Sequence, residues 1–297
     1  MSIEKLTYTN SRGESIELST QSLYHVNVST DVTGISDIQN EIYGTSSMGQ
    51  HGETKTGMHI EPREIKVAGA INSKSKDYAY TLRRRALKTL NPELEGVLTY
   101  EYGDFKRVIK CTVDDTPEFY RKQGNPLVQF ELTLRCSNPF WQEEDEIRED
   151  IASWVGAWEF PYDIDLEDDT SMIWGYREQS IIVDCYNSGD VATGMRIRFS
   201  ALGTVENPIL LNVDTLEFIQ INATMQTGDV IEINTEYGSK GATLYRNGET
   251  IDYYRYIDVD STFMQLNIGD NIFRYDAGSG VNAMEVSLVY NAKYLGV

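Results

Sequence analysis

Residues 128–141, VQFELTLRCSNPFW, constrain the fold more than any other stretch of the chain. Val128, Phe130, Leu132, Leu134 and Cys136 fall on one side of an extended backbone, and Gln129, Glu131, Thr133 and Arg135 fall on the other. Alternation of period two marks a strand with one face in a core and one in water. Asn138-Pro139 stops it, because proline donates no hydrogen bond and its ring drives the preceding residue out of helical backbone. Composition changes beyond Trp141. The pattern therefore predicts a first domain over 1–141 and a second over 142–297, entered through a linker over about 142–180.

Charge makes the same division. Residues 1–141 carry 17 Lys and Arg against 18 Asp and Glu, whereas 142–297 carry 9 against 28. A strongly anionic surface repels phosphate backbones, which excludes nucleic acid as the ligand of the second half. At 297 residues the chain has room for two domains with real cores. Its 40% hydrophobic and 24% charged content suit a soluble globular protein. No apolar run reaches the length of a membrane span, and the N-terminus lacks the pattern of a secretory signal, so no membrane partner is expected. Cys111, Cys136 and Cys185 lie far apart in sequence and read as small buried hydrophobes, neither a disulfide frame nor a metal site.

Within the first domain, 3–8, 15–18 and 24–28 read as short strands, with 10–13 as a turn. The pattern dissolves over 31–61, where five glycines stand among many Ser and Thr. Such a segment is a functional loop, a partly disordered one, or a hairpin arm that packs on a neighbouring subunit. Strand character resumes at 62–71 with Ile65 and Val67 on one face. One long helix follows over 76–90, its apolar stripe made by Ala79, Leu82, Ala86 and Leu90, with Ser75 as N-cap and Asn91-Pro92 as the stop. Arg83, Arg84, Arg85 and Lys88 decorate it, either as a solvated face or as a patch facing DNA. Residues 96–102 and 105–113 form a hairpin, 114–117 breaks the strand, and 122–126 turns the chain into the last strand.

The junction is acidic and aromatic. Residues 142–169 hold 12 acidic side chains and one basic one, Arg148. A short helix fits 143–153. Trp154, Trp158 and Trp174 beside these carboxylates are candidates for stacking on sugar rings, or else anchors of the linker on a core. The acidic run 163–169 lacks the glycine and terminal glutamate of a calcium loop. From 181 onward short strands recur between turn signals, which is how a β-sandwich reads. They fall at 181–186, 195–199, 209–213, 218–221, 230–234, 242–246, 249–252, 263–266, 271–275 and 284–290. Asn247-Gly248 is the strongest hairpin signal among them.

No catalytic constellation emerges. His25, His51 and His59 lack metal-ligand spacing, and no nucleophile elbow, phosphate loop or dinucleotide fingerprint is present. Neither enzyme activity nor a metal nor a cofactor is expected.

Several segments, in order, resemble the distal tail proteins of long-tailed bacteriophages. Residues 132–141, LTLRCSNPFW, resemble the strand-then-proline-aromatic close of that family's first domain. Asn187-Ser188-Gly189-Asp190, Asn207-Pro208-Ile209 and Gly228-Asp229 with 231–235 resemble its sandwich core. Residues 266–271 (LNIGDN), then Phe273 and Tyr275, then 290–297 (YNAKYLGV) resemble its end. The resemblance implies a mainly β protein: an antiparallel first domain with one helix, then a galectin-like or carbohydrate-module-like sandwich that projects outward. It implies a structural role at the tail tip or baseplate of the virion, assembled in the host cytoplasm. There a homohexameric ring would join the tail-tube protein to the tail-associated hub or lysin, with DNA only passing through its lumen. A carbohydrate-binding module for host cell-wall glycan is the alternative. The near-neutral first domain suits repeated self-contact around such a ring, since its charge does not accumulate.

Overall fold

The computed structural model describes residues 3–73, 75–120, 127–151, 154–156, 175–177 and 182–297, the 154–156 and 175–177 pieces by backbone alone. The chain divides into two compact units, Met1–Glu144 with Lys293–Val297, and Asp145–Ala292.

In the first unit the alternation of Val128–Cys136 is realised: Phe130, Leu132, Leu134 and Cys136 are buried while Glu131 and Arg135 face water. This strand pairs on one side with Arg63–Ile71 and on the other with Phe105–Tyr120. From Arg63–Ile71 the sheet runs through Tyr24–His25, Ser15–Ser19, Lys5–Asn10 and Glu95–Tyr102 to Phe105–Tyr120. The seven strands thus form a closed, barrel-like sheet. Every pairing is antiparallel except that of Ser15–Ser19 with Tyr24–His25. Closure removes the lateral edges that an open sheet would expose. Leu6, Tyr8, Ile16, Leu18, Ile65 and Leu98 join the buried side of Val128–Cys136 in one core. Each such side chain contributes about 1.5–3 kcal/mol on leaving water.

The expected break at 114–117 does not occur, because Phe105–Tyr120 is a single strand. Its ladder runs from Glu131↔Glu118 to Thr133↔Asp115, with register shifts on either side of Thr133. Pro117 sits inside this irregularity, where its missing N–H breaks no regular ladder bond. The expected helix spans Lys76–Thr89, with Ser75 accepting from the Tyr78 N–H and Ala79, Leu82 and Ala86 buried, and the single helix expected is joined by a second, one-turn helix at Val28–Asp31. The Lys76–Thr89 helix is docked by Tyr24, whose hydroxyl donates to the Leu82 carbonyl at 2.9 Å. The turn expected at 122–126 lies outside the described residues.

Residues 293–297 belong to the first unit, not to the second as sequence order suggests. Lys293–Tyr294 pairs with Trp141–Gln142, which in turn pairs with Phe105–Tyr120. Nor is the described part of the expected 143–153 helix, residues 143–151, helical. Ile147–Asp150 is an edge strand against Met284–Tyr290, and Ile151 enters the second core.

Besides a short ribbon of Trp154–Gly156 with Gly175–Arg177, the described residues of the second unit form two antiparallel sheets. One is ordered Ile147–Asp150, Met284–Tyr290, Met195–Ala201, Val230–Asn234, Gly241–Arg246 and Glu249–Asp252. The other is ordered Ile182–Asn187, Gly269–Ser279, Val205–Asn212 and Phe218–Gln220, with Thr224–Met225 beside Val205–Asn212. Ile197, Phe199, Ile231 and Leu288 from the first and Cys185, Leu210, Ile219 and Phe273 from the second share one buried cluster. Asn247 and Gly248 both have positive φ, 52° and 81°, the backbone of the tight hairpin turn expected there. The strand expected at 263–266 is instead irregular, held by a single bridge between Thr193 and Leu266.

Candidate assembly site

The 31–61 segment resolves into a root and an arm. The arm is a two-stranded ribbon, Asn40–Thr45 against Thr54–Ile60, and it pairs with no other strand among the described residues. Gly49 and Gly52, both at positive φ, shape its tip. Ile42 and Met58 sit directly opposite each other, about half exposed, with Tyr43 alongside and Met48 fully exposed at the tip. An isolated two-stranded ribbon is at best marginal in water. Its apolar side chains and both of its edges are open to a partner.

The root is rigid, and one cation makes it so. Arg63 is 3% exposed and opens the strand that follows the arm. Its Nη1 donates to the carbonyls of Gly34 and Ile35, both at 2.8 Å, and of Asp37 at 3.1 Å. Nε donates to the Pro139 carbonyl at 2.7 Å, and Nη2 to that of Leu295. A planar guanidinium with five N–H donors suits this task, and an ammonium does not. Burial lowers the arginine's affinity for its proton. The surrounding carbonyl dipoles offset that cost, since all five point at the cation.

Neighbouring groups extend the lock. The Trp141 indole N–H donates to the Ile35 carbonyl at 3.0 Å, and the Ser36 hydroxyl to the Val297 carbonyl at 2.9 Å. Gly34 has φ +86° and lies so near Glu64 that an added Cβ would stand 1.9 Å from its carbonyl oxygen. Arg107 stacks 3.7 Å from the centroid of the Tyr294 ring and pairs with Glu143 at 3.0 Å, and the Tyr294 hydroxyl donates to the same carboxylate. The arm root, the 138–142 turn and the 293–297 segment thus form one joint.

The basic helix face is largely engaged within its own unit. Lys88 pairs with Glu14, whose carboxyl is held below its ordinary range chiefly by that hydrogen bond. The Arg83 guanidinium lies 5.1 Å from the Phe119 ring centroid, and Arg85 donates to the Ser15 carbonyl at 3.4 Å. These contacts favour the solvated-face reading over a patch facing DNA.

Of the sugar-stacking candidates, Trp154 lies on the short ribbon Trp154–Gly156 against Gly175–Arg177. Trp158, Trp174 and the 163–169 acidic run lie outside the described residues. Among the described residues no three His, Cys, Asp or Glu side chains converge as a metal site. His51 and His59 are on the exposed arm, and the ring of His25 contacts the Thr20 carbonyl. The Arg63 joint escaped the sequence reading because its acceptors are backbone carbonyls 26 to 232 residues away, which leave no pattern in side-chain chemistry.

A closed β barrel with a helix and projecting arm, followed by a two-sheet unit, defines a class of structural module with no converging chemistry among its described residues. Residues 11–136 match the family model described as the phage tail protein RIFT-related domain, and residues 188–294 match that of the siphovirus-type tail component, C-terminal domain. The chain belongs to the siphovirus distal tail protein family and is a structural protein of the phage tail. None of the curated proteins matches it in sequence. Among solved structures it is similar to the phage SPP1 Dit (gp 19.1) protein, described as a paradigm of the hub adsorption apparatus in phages infecting Gram-positive hosts. That match has a TM-score of 0.67 and 14% identity over 97% of this chain and 98% of the other. It is similar too to a chain of the phage P2 baseplate in its activated conformation with calcium, TM-score 0.52 and 12% identity, each chain covered completely. With strontium in that baseplate the values are 0.53 and 13%. At such identities the likeness is one of fold.

Proposed function

We propose that the chain is a homohexameric ring protein of the tail tip, assembled in the host cytoplasm, which joins the tail tube to a tail-associated hub or lysin. The exposed ribbon at 40–60 carries this reading. It has apolar side chains, two open edges and a tightly hydrogen-bonded root, yet it pairs with no other strand among the described residues. In the ring it lies against the next subunit, a head-to-tail contact that closes by rotation. Because the barrel has no lateral edge of its own to offer, the arm docks by its side chains or along the short Lys293–Tyr294 edge. The near balance of charge over 1–141 permits six copies to meet without accumulated repulsion. Support also comes from the SPP1 and P2 proteins, whose descriptions place them in a hub adsorption apparatus and a baseplate.

Light scattering after size exclusion tests the ring. The full chain is expected at six times its monomer mass, and a variant with 40–60 replaced by a short Gly-Ser linker at one. A full chain that stays monomeric at high concentration, alone and with tube and hub proteins, would sink the proposal.

A second reading, attachment to wall glycan through a galectin-like second unit, has its own motivation. Tyr254 is exposed and stacks on Phe263, and Lys240 lies over both Phe263 and Tyr237. These rings are surfaces on which sugars would stack, and Trp154, Trp158 and Trp174 are the further candidates that the sequence offers. A cell-wall pull-down unaffected by Tyr237→Ala with Tyr254→Ala, and by Trp154→Ala, would remove this reading.

A further inference from the structure

Two of the three cysteines, distant in sequence, meet in the fold. Cys111 is on Phe105–Tyr120 and Cys136 ends Val128–Cys136, one step beyond the cross-strand pair Arg135↔Thr112. Both side chains are buried in the barrel core, and continuing that register by one residue sets them opposite each other across the seam. Residues opposite one another on antiparallel strands have Cα atoms about 4.5–5.5 Å apart, inside the range of about 4.4–6.8 Å that a disulfide accepts. The seam they sit on is the one that closes the barrel. It is irregular, with register shifts at Glu131/Thr133 and Thr133/Leu134. A third feature is access. A cavity of about 450 Å³, open to solvent, has Cys111, Gly96 and Thr112 in its wall. On its other side Cys136 stands opposite Arg63 in the ladder with Arg63–Ile71.

We propose that Cys111 and Cys136 form a latent disulfide site, reduced when the chain folds and joined by dioxygen afterwards, which pins the irregular seam of the barrel. In the step the two S–H bonds break and one S–S bond forms. Two protons and two electrons pass to dioxygen, giving hydrogen peroxide. Joining residues 111 and 136 shortens the unfolded chain's excursions, so the bond stabilises the first unit. Its timing rests on the tail-tip reading, because a particle assembled in a reducing cytoplasm works outside it. The bond itself does not depend on that reading, and it is tested on the isolated chain.

The full chain is held in dioxygen-saturated buffer with a copper–phenanthroline catalyst, then denatured, alkylated and peptide-mapped. The expected result is a peptide linking Cys111 to Cys136, with Cys185 alone alkylated. The melting temperature of the first unit is then several degrees above that of a dithiothreitol-treated sample, a difference absent in Cys136→Ala. Three alkylatable thiols persisting after the treatment, sulfinic acids without a cross-link, or a cross-link that leaves melting unchanged would each overturn the proposal. The mapping uses the unsubstituted chain, so a variant that does not fold leaves it decisive.

Discussion

Arg63 donates its Nε proton to the carbonyl of Pro139 at 2.7 Å, across 76 residues of chain. The residue that opens the strand after the arm thereby holds the turn at which the first domain's last strand stops. With its other nitrogens on the arm root and on Leu295, it ties together three segments whose Ile35, Trp141 and Val297 pack in or against the barrel core.

Replacing this arginine is expected to be costly. In Arg63→Met four carbonyls lose their donor while that of Ile35 keeps the Trp141 indole N–H, and a buried oxygen without one costs about 1–3 kcal/mol, part of which water recovers. We expect the first unit to lose about 3–5 kcal/mol, read as a fall in its urea midpoint with the second unit's transition unmoved. Arg63→Lys keeps the charge but presents a compact ammonium in place of a fork, and should recover less than half of the loss. Equal stability of the methionine variant and the wild type would show that the carbonyls find water instead.

A pair of glycine substitutions separates backbone strain from crowding. Gly13 has φ +79° and open space where a Cβ would go, so Gly13→Ala should cost about 1 kcal/mol. Gly34 has a similar φ, but its Cβ would stand 1.9 Å from the Glu64 carbonyl oxygen. Gly34→Ala is therefore expected to cost about 3 kcal/mol or more, because the arm root must move off the Arg63–Ile71 strand. Denaturant melts of the two variants side by side measure the difference.

Much of this architecture is legible in the sequence because period-two patterning and turn chemistry act locally. Phe130, Leu132 and Leu134 announce their strand, Ser75 and Asn91-Pro92 bound the helix, and Asn247-Gly248 places its turn. What escapes is decided by distant partners. Pro117 reads as a strand breaker until the ladder irregularity opposite it is known. Residues 143–153 read equally as helix until Met284–Tyr290 offers an edge for Ile147–Asp150. Lys293–Val297 follows the second unit in sequence but belongs to the first, because Trp141 and Arg63 provide its partners. The closing of the barrel depends on Val128–Cys136 meeting two strands at once, which no single-strand pattern reports.

The proposed ring makes a separate demand on the arm. Ile42 and Met58 are opposite each other and about half exposed, so Ile42→Glu or Met58→Glu removes little packing from the isolated chain. Stability should change by no more than about 0.5 kcal/mol. Assembly should fail, since a carboxylate would be buried against the next subunit without a partner. Unaltered melting with a monomer mass by light scattering is the expected pair of results. A variant that still assembles would place the contact elsewhere on the first unit.

In the second unit, Asp229 supplies a pH dependence whose sign can be worked out. Its side chain is 3% exposed and accepts from Arg246 Nε at 2.8 Å and Nη2 at 2.5 Å, and from the Gln226 N–H at 2.7 Å. The Arg246 hydrogen bonds are the main reason that its carboxyl is held below the ordinary range. A carboxyl whose folded value is depressed binds its proton more readily when unfolded. Its contribution is thus fully present above the unfolded value of about 3.9, and it is lost as pH falls through the lower folded value. Asp229→Asn should destabilise the second unit by about 1–3 kcal/mol at pH 7. The gap between variant and wild type should narrow as pH falls below about 4, as the wild-type carboxyl takes up its proton. Urea midpoints of the second unit at pH 7, 5 and 3 provide the check, and a gap that stays constant to pH 3 would mean that the shape of the pair, not its charge, supplies the stability.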